Sequence, residues 1–212
     1  MTLILTLLVI LSASTHIWGE YRGSRHRVYI FKPLTMAIIL IMALLGQSAA
    51  PFYKSMIITG LLFSLVGDVF LMLPSDRFIP GLMAFLVAHL AYITAFGSEI
   101  NVLRGWILFP LLTFGIIIYI ILAPSLGSMR MPVIFYMAAI LIMTWLAWER
   151  WSQTNQSGAL LAAIGAVLFV ISDAVLAINR FRWKFEIARL LNLGTYFAAQ
   201  VLIAGSVGSL TY

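Results

Sequence analysis

Three ionisable residues stand inside uninterrupted apolar runs. Asp68 lies in Phe63-Ser64-Leu65-Val66-Gly67-Asp68-Val69, Asp173 in Phe169-Val170-Ile171-Ser172-Asp173-Ala174, and His89 in Phe85-Leu86-Val87-Ala88-His89-Leu90-Ala91-Tyr92. If such runs cross a bilayer, a carboxylate at that depth costs about 2.5–3.5 kcal/mol even on mild insertion scales, so each must face a bundle interior or a wet cavity. One buried Asp alone is as readily a structural group, with Asp173 bonded to Asn192 or Tyr196, as a reactive one. Two shift the balance, because carboxyls that share a pocket cannot both ionise and so form an acid–base pair. His89 has no second His or Glu at ligand spacing, which leaves no metal site; its expected role is to orient an Asp or a phosphate.

Polar residues recur around these three at helical spacing. Gly60, Ser64 and Asp68 fall on one helix face, as do Phe85, His89, Tyr92 and Phe96 on the next segment. Near the C-terminus Arg189, Asn192, Tyr196 and Gln200 form a third stripe. For Ser64 and Gln200 the simpler reading is an interhelical hydrogen bond.

The elements that must position these groups follow from composition. Of 212 residues, 63% are apolar and 9% charged, against roughly 25% charged in a soluble domain. This excludes a soluble globular protein. A transmembrane barrel would need short alternating segments. At about 20 residues per span plus short connections, the chain holds eight helices as a single transmembrane domain over residues 1–212. The predicted spans are 2–18, 33–47, 53–73, 78–96, 106–122, 132–148, 157–178 and 185–210, the first of them read as a retained span and not a cleaved signal. The predicted fold class is thus all-α, a polytopic transmembrane bundle of eight helices.

The absence of cysteine excludes disulfides, thiol nucleophiles and thiolate metal sites. The net charge of +6 comes from cations scattered through short connections, which speaks against nucleic acid and for anionic headgroups of membrane lipids. Arg22, Arg25, Arg27, Lys32, Arg77, Arg130, Arg180, Arg182 and Lys184 fall in odd-numbered connections, with Arg189 just inside the last span. Lys54, Arg104 and Arg150 fall in the even ones. This bias predicts odd connections in the cytoplasm and both termini outside. An echo at an offset of 105 residues lays Gly60 on Gly165, Asp68 on Asp173 and Leu71 on Leu176. It points to two parallel four-helix halves with one Asp each at matching depth.

No Gly-rich phosphate loop, Gly-x-Ser-x-Gly elbow or His-Glu-x-x-His is present. What is present is the block Gly67-Asp68-Val69-Phe70-Leu71-Met72-Leu73, then Phe78-Ile79-Pro80-Gly81-Leu82, then Phe85 to Tyr92 as above, and finally Ile171-Ser172-Asp173-Ala174-Val175-Leu176-Ala177. With the Lys32-Pro33 opening of the second span, these blocks resemble the YhhN-like lysoplasmalogenase family of integral membrane proteins over nearly the whole chain. The resemblance implies an eight-helix hydrolase of the bacterial inner (plasma) membrane. Such an enzyme cleaves the vinyl ether bond of a lysoplasmalogen to a fatty aldehyde and glycerophosphoethanolamine or -choline. It also implies Asp68 and Asp173 as the essential aspartates, with no cofactor and no metal.

Vinyl ether hydrolysis suits two carboxyl groups of unlike protonation: one protonates the alkenyl carbon, the other stabilises the oxocarbenium ion and deprotonates water, much as in glycoside hydrolysis. Sequence leaves open which Asp is the acid. Lys32 is the expected phosphate contact, with His89, Tyr92, Asn192 and Tyr196 as further substrate-site candidates around the lysophospholipid. Two other readings compete. One is a proton- or cation-coupled transporter or flippase that uses the same Asp pair; the other is a structural protein whose aspartates only bridge helices.

Overall fold

The computed structural model describes residues 2–48 and 50–208. Among these, eight α-helices follow one another: α1 (Thr2–Tyr21), α2 (Arg25–Leu45), α3 (Pro51–Met72), α4 (Phe78–Gly97), α5 (Leu108–Leu122), α6 (Arg130–Thr154), α7 (Ser157–Phe181) and α8 (Ala188–Gly205). No strand occurs among the described residues. Three 3₁₀ turns flank α5, at Gly105–Ile107, Ala123–Ser125 and Gly127–Met129. The fold class is all-α, and the chain is a multi-pass membrane protein.

Among the described residues seven helical segments are long and apolar enough to cross a membrane, α5 together with its flanking 3₁₀ turns (Gly105–Ser125) being one, and α8 is not among them. Its sequence carries Arg189, Asn192, Thr195, Tyr196 and Gln200 within 18 residues, which lowers its hydropathy. Tyr196 and Gln200 point into the core, at 4% and 0% exposure. The expected end of the last span at Leu210 lies outside the described residues, as do the two terminal residues whose side of the membrane was predicted.

Several helix ends differ from expectation, among them those of α8, which spans Ala188–Gly205 and not 185–210, and three of the differences shift a charged residue relative to its helix end. α2 starts eight residues before Pro33 and runs through it. The proline ring removes one N–H from the ladder, which a helix interior can absorb when packing holds both halves. Lys32 therefore sits within a helix and not at the mouth of a span. α6 continues past Trp148 to Thr154, where Asn155 turns left-handed (φ 51°) and closes it. Arg150, read as a loop cation, is thereby inside α6 and fully buried, with Nε 2.7 Å from Glu99 Oε2. α7 extends to Phe181, so Asp173 stands eight residues from its helix end while Asp68 stands four from the end of α3. The two helices do not terminate at the same distance from their carboxyls.

The core is mostly apolar, as in a soluble protein, but the surface is apolar as well. Phe109 (72% exposed) and Ile120 (65%) on α5 face outward, while Ser64, His89, Thr144 and Gln200 are buried. Small residues let the helices approach, as expected where no hydrophobic force draws them together in lipid. A Cβ on Gly60 would strike the Tyr92 ring, and one on Gly67 would lie 2.7 Å from the Phe85 ring. Gly165, the counterpart of Gly60 in the echo, does the same for α7 on α8: its Cβ would lie 2.9 Å from the Ala199 carbonyl oxygen.

The packed pairs repeat when the halves are exchanged. α3–α4 matches α7–α8, α2–α3 matches α6–α7, and α4–α6 matches α2–α8. α1 packs on α2 and on α8, whereas α5 packs chiefly on α6 and α7. One side of α5 borders a groove toward α4.

Candidate active site

The connections α1–α2, α3–α4 and α7–α8 meet at one end of the bundle. Arg180 at the end of α7 makes two hydrogen bonds to Asp76, at 2.9 and 3.0 Å. Its guanidinium also lies 4.1 Å over the Phe78 ring. Arg189 Nη1 donates to the Glu20 carbonyl at 2.9 Å, and Tyr21 Oη donates to the Glu186 carbonyl at 3.0 Å. Beneath these loops opens a cavity of about 600 Å³. Both aspartates line it.

Their partners differ. Asp68 is 2% exposed; its Oδ1 is 3.1 Å from Lys32 Nζ and its Oδ2 accepts a 2.6 Å hydrogen bond from Tyr196 Oη. A cation on α2 and a hydroxyl on α8 thus converge on one carboxylate of α3, a charge-assisted arrangement of the stronger kind. Asp173 has no cation within ion-pair distance among the described residues. Its Oδ2 accepts a 2.5 Å hydrogen bond from Tyr136 Oη of α6. Beside it, Ser172 and Asn192 lace α7 to α8: Asn192 Nδ2 donates to the Ser172 carbonyl at 3.0 Å and to Ser172 Oγ at 2.9 Å.

A second, apolar cavity of about 70 Å³ runs from the same place into the bundle wall, between α4 (Leu82, Phe85) and α5 (Phe114, Gly115, Ile118). The two cavities share Leu71, Phe78, Phe85, Asp173, Leu176 and Phe181. Asp173 therefore stands where the polar cavity meets the apolar groove. At the outer side of the polar cavity are Arg180, Lys184, Arg189 and one acid, Glu20. Charged groups surround one end, an apolar slot leads from the other, and carboxyls lie between. Chemically this accommodates a single-chain amphiphile with its polar–apolar junction at the aspartates.

Of the sequence candidates, Lys32, Asp68, Asp173, Asn192 and Tyr196 line the polar cavity. His89 and Tyr92 line neither cavity. His89 is buried edge-on between Tyr136 and Phe169, with ring centroids 5.0 and 4.9 Å away. Neither of its nitrogens has a hydrogen-bond partner among the described residues. Tyr92 donates to Gln200 Oε1 at 2.9 Å, deeper in the core. The structural alternative of Asp173 bonded to Asn192 or Tyr196 is not found; Asn192 holds Ser172 and Tyr196 holds Asp68. Tyr136 was missed in the sequence, where the only signal was a hydroxyl in the apolar run Ile134-Phe135-Tyr136-Met137. Among the described residues no group of three or more His, Cys, Asp or Glu gathers to hold a metal ion.

The family model described as "YhhN family" matches residues 28–207. The chain is 32% identical over 203 residues to "Uncharacterized membrane protein YhhN" of Escherichia coli O157:H7, covering 94% of this chain and 96% of that one. It is 36% identical over 160 residues to "Lysoplasmalogenase TMEM86A" of Bos taurus, covering 70% of this chain and 63% of the relative. With "Lysoplasmalogenase TMEM86B" of Homo sapiens it shares 35% over 151 residues, covering 71% and 62%. No solved structure matches.

Proposed function

Because the chain belongs to the YhhN family, and the lysoplasmalogenases are among its relatives, we propose that it is a lysoplasmalogenase-type ether hydrolase. It acts on the vinyl ether bond of a single-chain glycerophospholipid. The observation that carries this reading is the junction at Asp173, a carboxyl shared by a polar cavity and an apolar slot, with a second carboxyl of different partners on the same cavity. The headgroup occupies the polar cavity and the alkenyl tail the slot, so the reactive bond lies between the two aspartates.

The unlike partners of the carboxyls support unlike roles. Lys32 supplies a counter-charge at 3.1 Å and Tyr196 a hydroxyl, so Asp68 is the carboxylate. Asp173, without a cation and against the apolar slot, is the acid; Tyr136 fixes its Oδ2 and leaves Oδ1 to face the substrate. Asp173 donates its proton to the alkenyl carbon one bond removed from the ether-bearing carbon, and the ether oxygen's lone pair completes an oxocarbenium ion. Water adds to that ion while Asp68 takes the water's proton. In the hemiacetal so formed, the C–O bond to glycerol breaks. The hydroxyl proton returns to Asp173 and the Asp68 proton goes to the glycerol oxygen. One water is consumed, and both carboxyls regain their starting states.

The test is aldehyde release from lysoplasmenyl-ethanolamine by detergent-purified protein, beside Asp68→Asn and Asp173→Asn variants shown to remain folded at the assay temperature. Aldehyde from wild type and a loss of at least about a thousandfold in both variants supports the reading. Folded variants that keep activity overturn the role of the pair. Proton-coupled lipid movement in sealed vesicles without any product would instead favour a transporter. The bacterial inner membrane, with the odd-numbered connections in the cytoplasm, is the proposed location.

A further inference from the structure

The sequence offers Lys32 as the phosphate contact, yet Lys32 is engaged with Asp68 and only 9% exposed. A phosphate drawn to it would compete with a buried carboxylate for its one counter-ion. The cavity carries other charges, and their arrangement is uneven. Arg180 and Lys184 belong to the end of α7 and the turn after it, whereas Glu20 comes from the end of α1, on the other side of α8. Lys184 is exposed, with no ion pair among the described residues. Among the described residues that line the mouth Glu20 is the one carboxylate, Asp76 being held by Arg180 outside the lining; its Oε2 is 4.0 Å from Arg189 Nη1, a loose ion pair beyond hydrogen-bond range, and its side chain keeps 29% exposure. The mouth thus offers cations and one loosely held acceptor of positive charge in one space.

We propose that the mouth of this cavity is a seat for a zwitterionic headgroup, with its phosphate at Lys184, beside the Arg180 that Asp76 already holds, and a primary ammonium at Glu20, so that Glu20 selects ethanolamine over choline. A primary ammonium presents three N–H donors to a carboxylate and a trimethylammonium presents none. A charge-assisted hydrogen bond is therefore available to one headgroup and denied to the other. The aromatic side chains that line the cavity, Phe78, Phe85, Phe181 and Tyr196, come from α4, α7 and α8, and among the described residues none comes from α1 beside Glu20 to begin the cage of rings that suits a quaternary ammonium. About 600 Å³ holds a glycerophosphoethanolamine without rearrangement.

This inference rests on the lysophospholipid reading of the cavity but not on turnover, so binding is measured with saturated ethers, which cannot be protonated at an alkenyl carbon. The probes are 1-O-hexadecyl-glycerophosphoethanolamine, the phosphocholine analogue and 1-O-hexadecylglycerol, titrated into the full chain in detergent by tryptophan fluorescence. Wild type is expected to bind the ethanolamine probe most tightly and the alkylglycerol least. Glu20→Gln should weaken the ethanolamine probe about tenfold, a loss of about 1.4 kcal/mol, and shift the choline probe less than about twofold. Lys184→Gln, which leaves no buried partner behind, should weaken both phosphate probes alike and spare the alkylglycerol. Equal effects of Glu20→Gln on both phospholipid probes, or equal affinity of all three probes for wild type, would overturn the seat. Headgroup-dependent binding without aldehyde release from the vinyl ether substrate would keep the seat and sink the hydrolase. Aldehyde release with headgroup-independent binding would do the reverse.

Discussion

Replacing Lys32 by methionine removes the only cation within ion-pair reach of Asp68 among the described residues and keeps the length of the side chain. The pair spans 3.1 Å, with the lysine 11% and the aspartate 2% exposed. Removing one partner of a buried pair costs about 3–5 kcal/mol, most of it the penalty of the charge left behind. Here the carboxylate borders a cavity of about 600 Å³ that admits water, and it keeps its bond from Tyr196, so the low end, about 3 kcal/mol, applies. For a chain of this size that corresponds to a fall in melting temperature of about 6–12 °C. Asp68→Asn alone should cost less, about 1 kcal/mol, because the freed lysine can extend into the wet cavity. The double variant should melt near Asp68→Asn, not at the sum of the two losses. The assay is thermal unfolding in detergent of the four proteins as a double-mutant cycle. Additive losses, or Lys32→Met melting with wild type, would refute both the pairing and the role given to Asp68 as the carboxylate.

Tyr136→Phe deletes the 2.5 Å bond to Asp173 and little volume. Aldehyde release should fall about tenfold, the equivalent of one hydrogen bond to a charged or reacting group, with melting nearly unchanged. Ile118→Trp fills the apolar slot from α5 and should raise KM for a hexadecenyl substrate well above that for an octenyl one; equal effects on both would show that the tail lies elsewhere. Gly60→Ala sets a methyl group against the Tyr92 ring, and should lower stability by about 1–3 kcal/mol as an overpacked core position does, read by thermal unfolding.

How far the sequence carried depended on what each signal measures. Charge in an apolar run reports depth in the bundle directly, so Asp68 and Asp173 were visible without any structure. Helical spacing reports a face but not a height. That is why His89 and Tyr92, on the face of α4 that carries Phe85, were grouped with the site although only Phe85 reaches the cavities. Tyr136 was hidden because a tyrosine in a span is ordinary; its meaning comes from α6 meeting α7 at Asp173. Lys32 and Arg150 were misread together. Taking Pro33 as a helix start and Trp148 as a helix end put both cations in loops, where a charge sets topology. In the fold both lie in helices, where Lys32 neutralises Asp68 of α3 and Arg150 neutralises Glu99 in the turn after α4.

The exchange relation between the halves bears on what the lipid itself does. On one side α1 lies against α8, and at the related position on the other side the flank of α5 borders the slot toward α4. An alkenyl chain in that slot would stand in for the side chains that α1 contributes opposite, making the substrate the last piece of the bundle. Occupancy should then raise the stability of the whole chain by RT ln(1 + [L]/Kd). The empty protein would be the looser partner, and a saturated ether analogue would be its most natural stabiliser during purification.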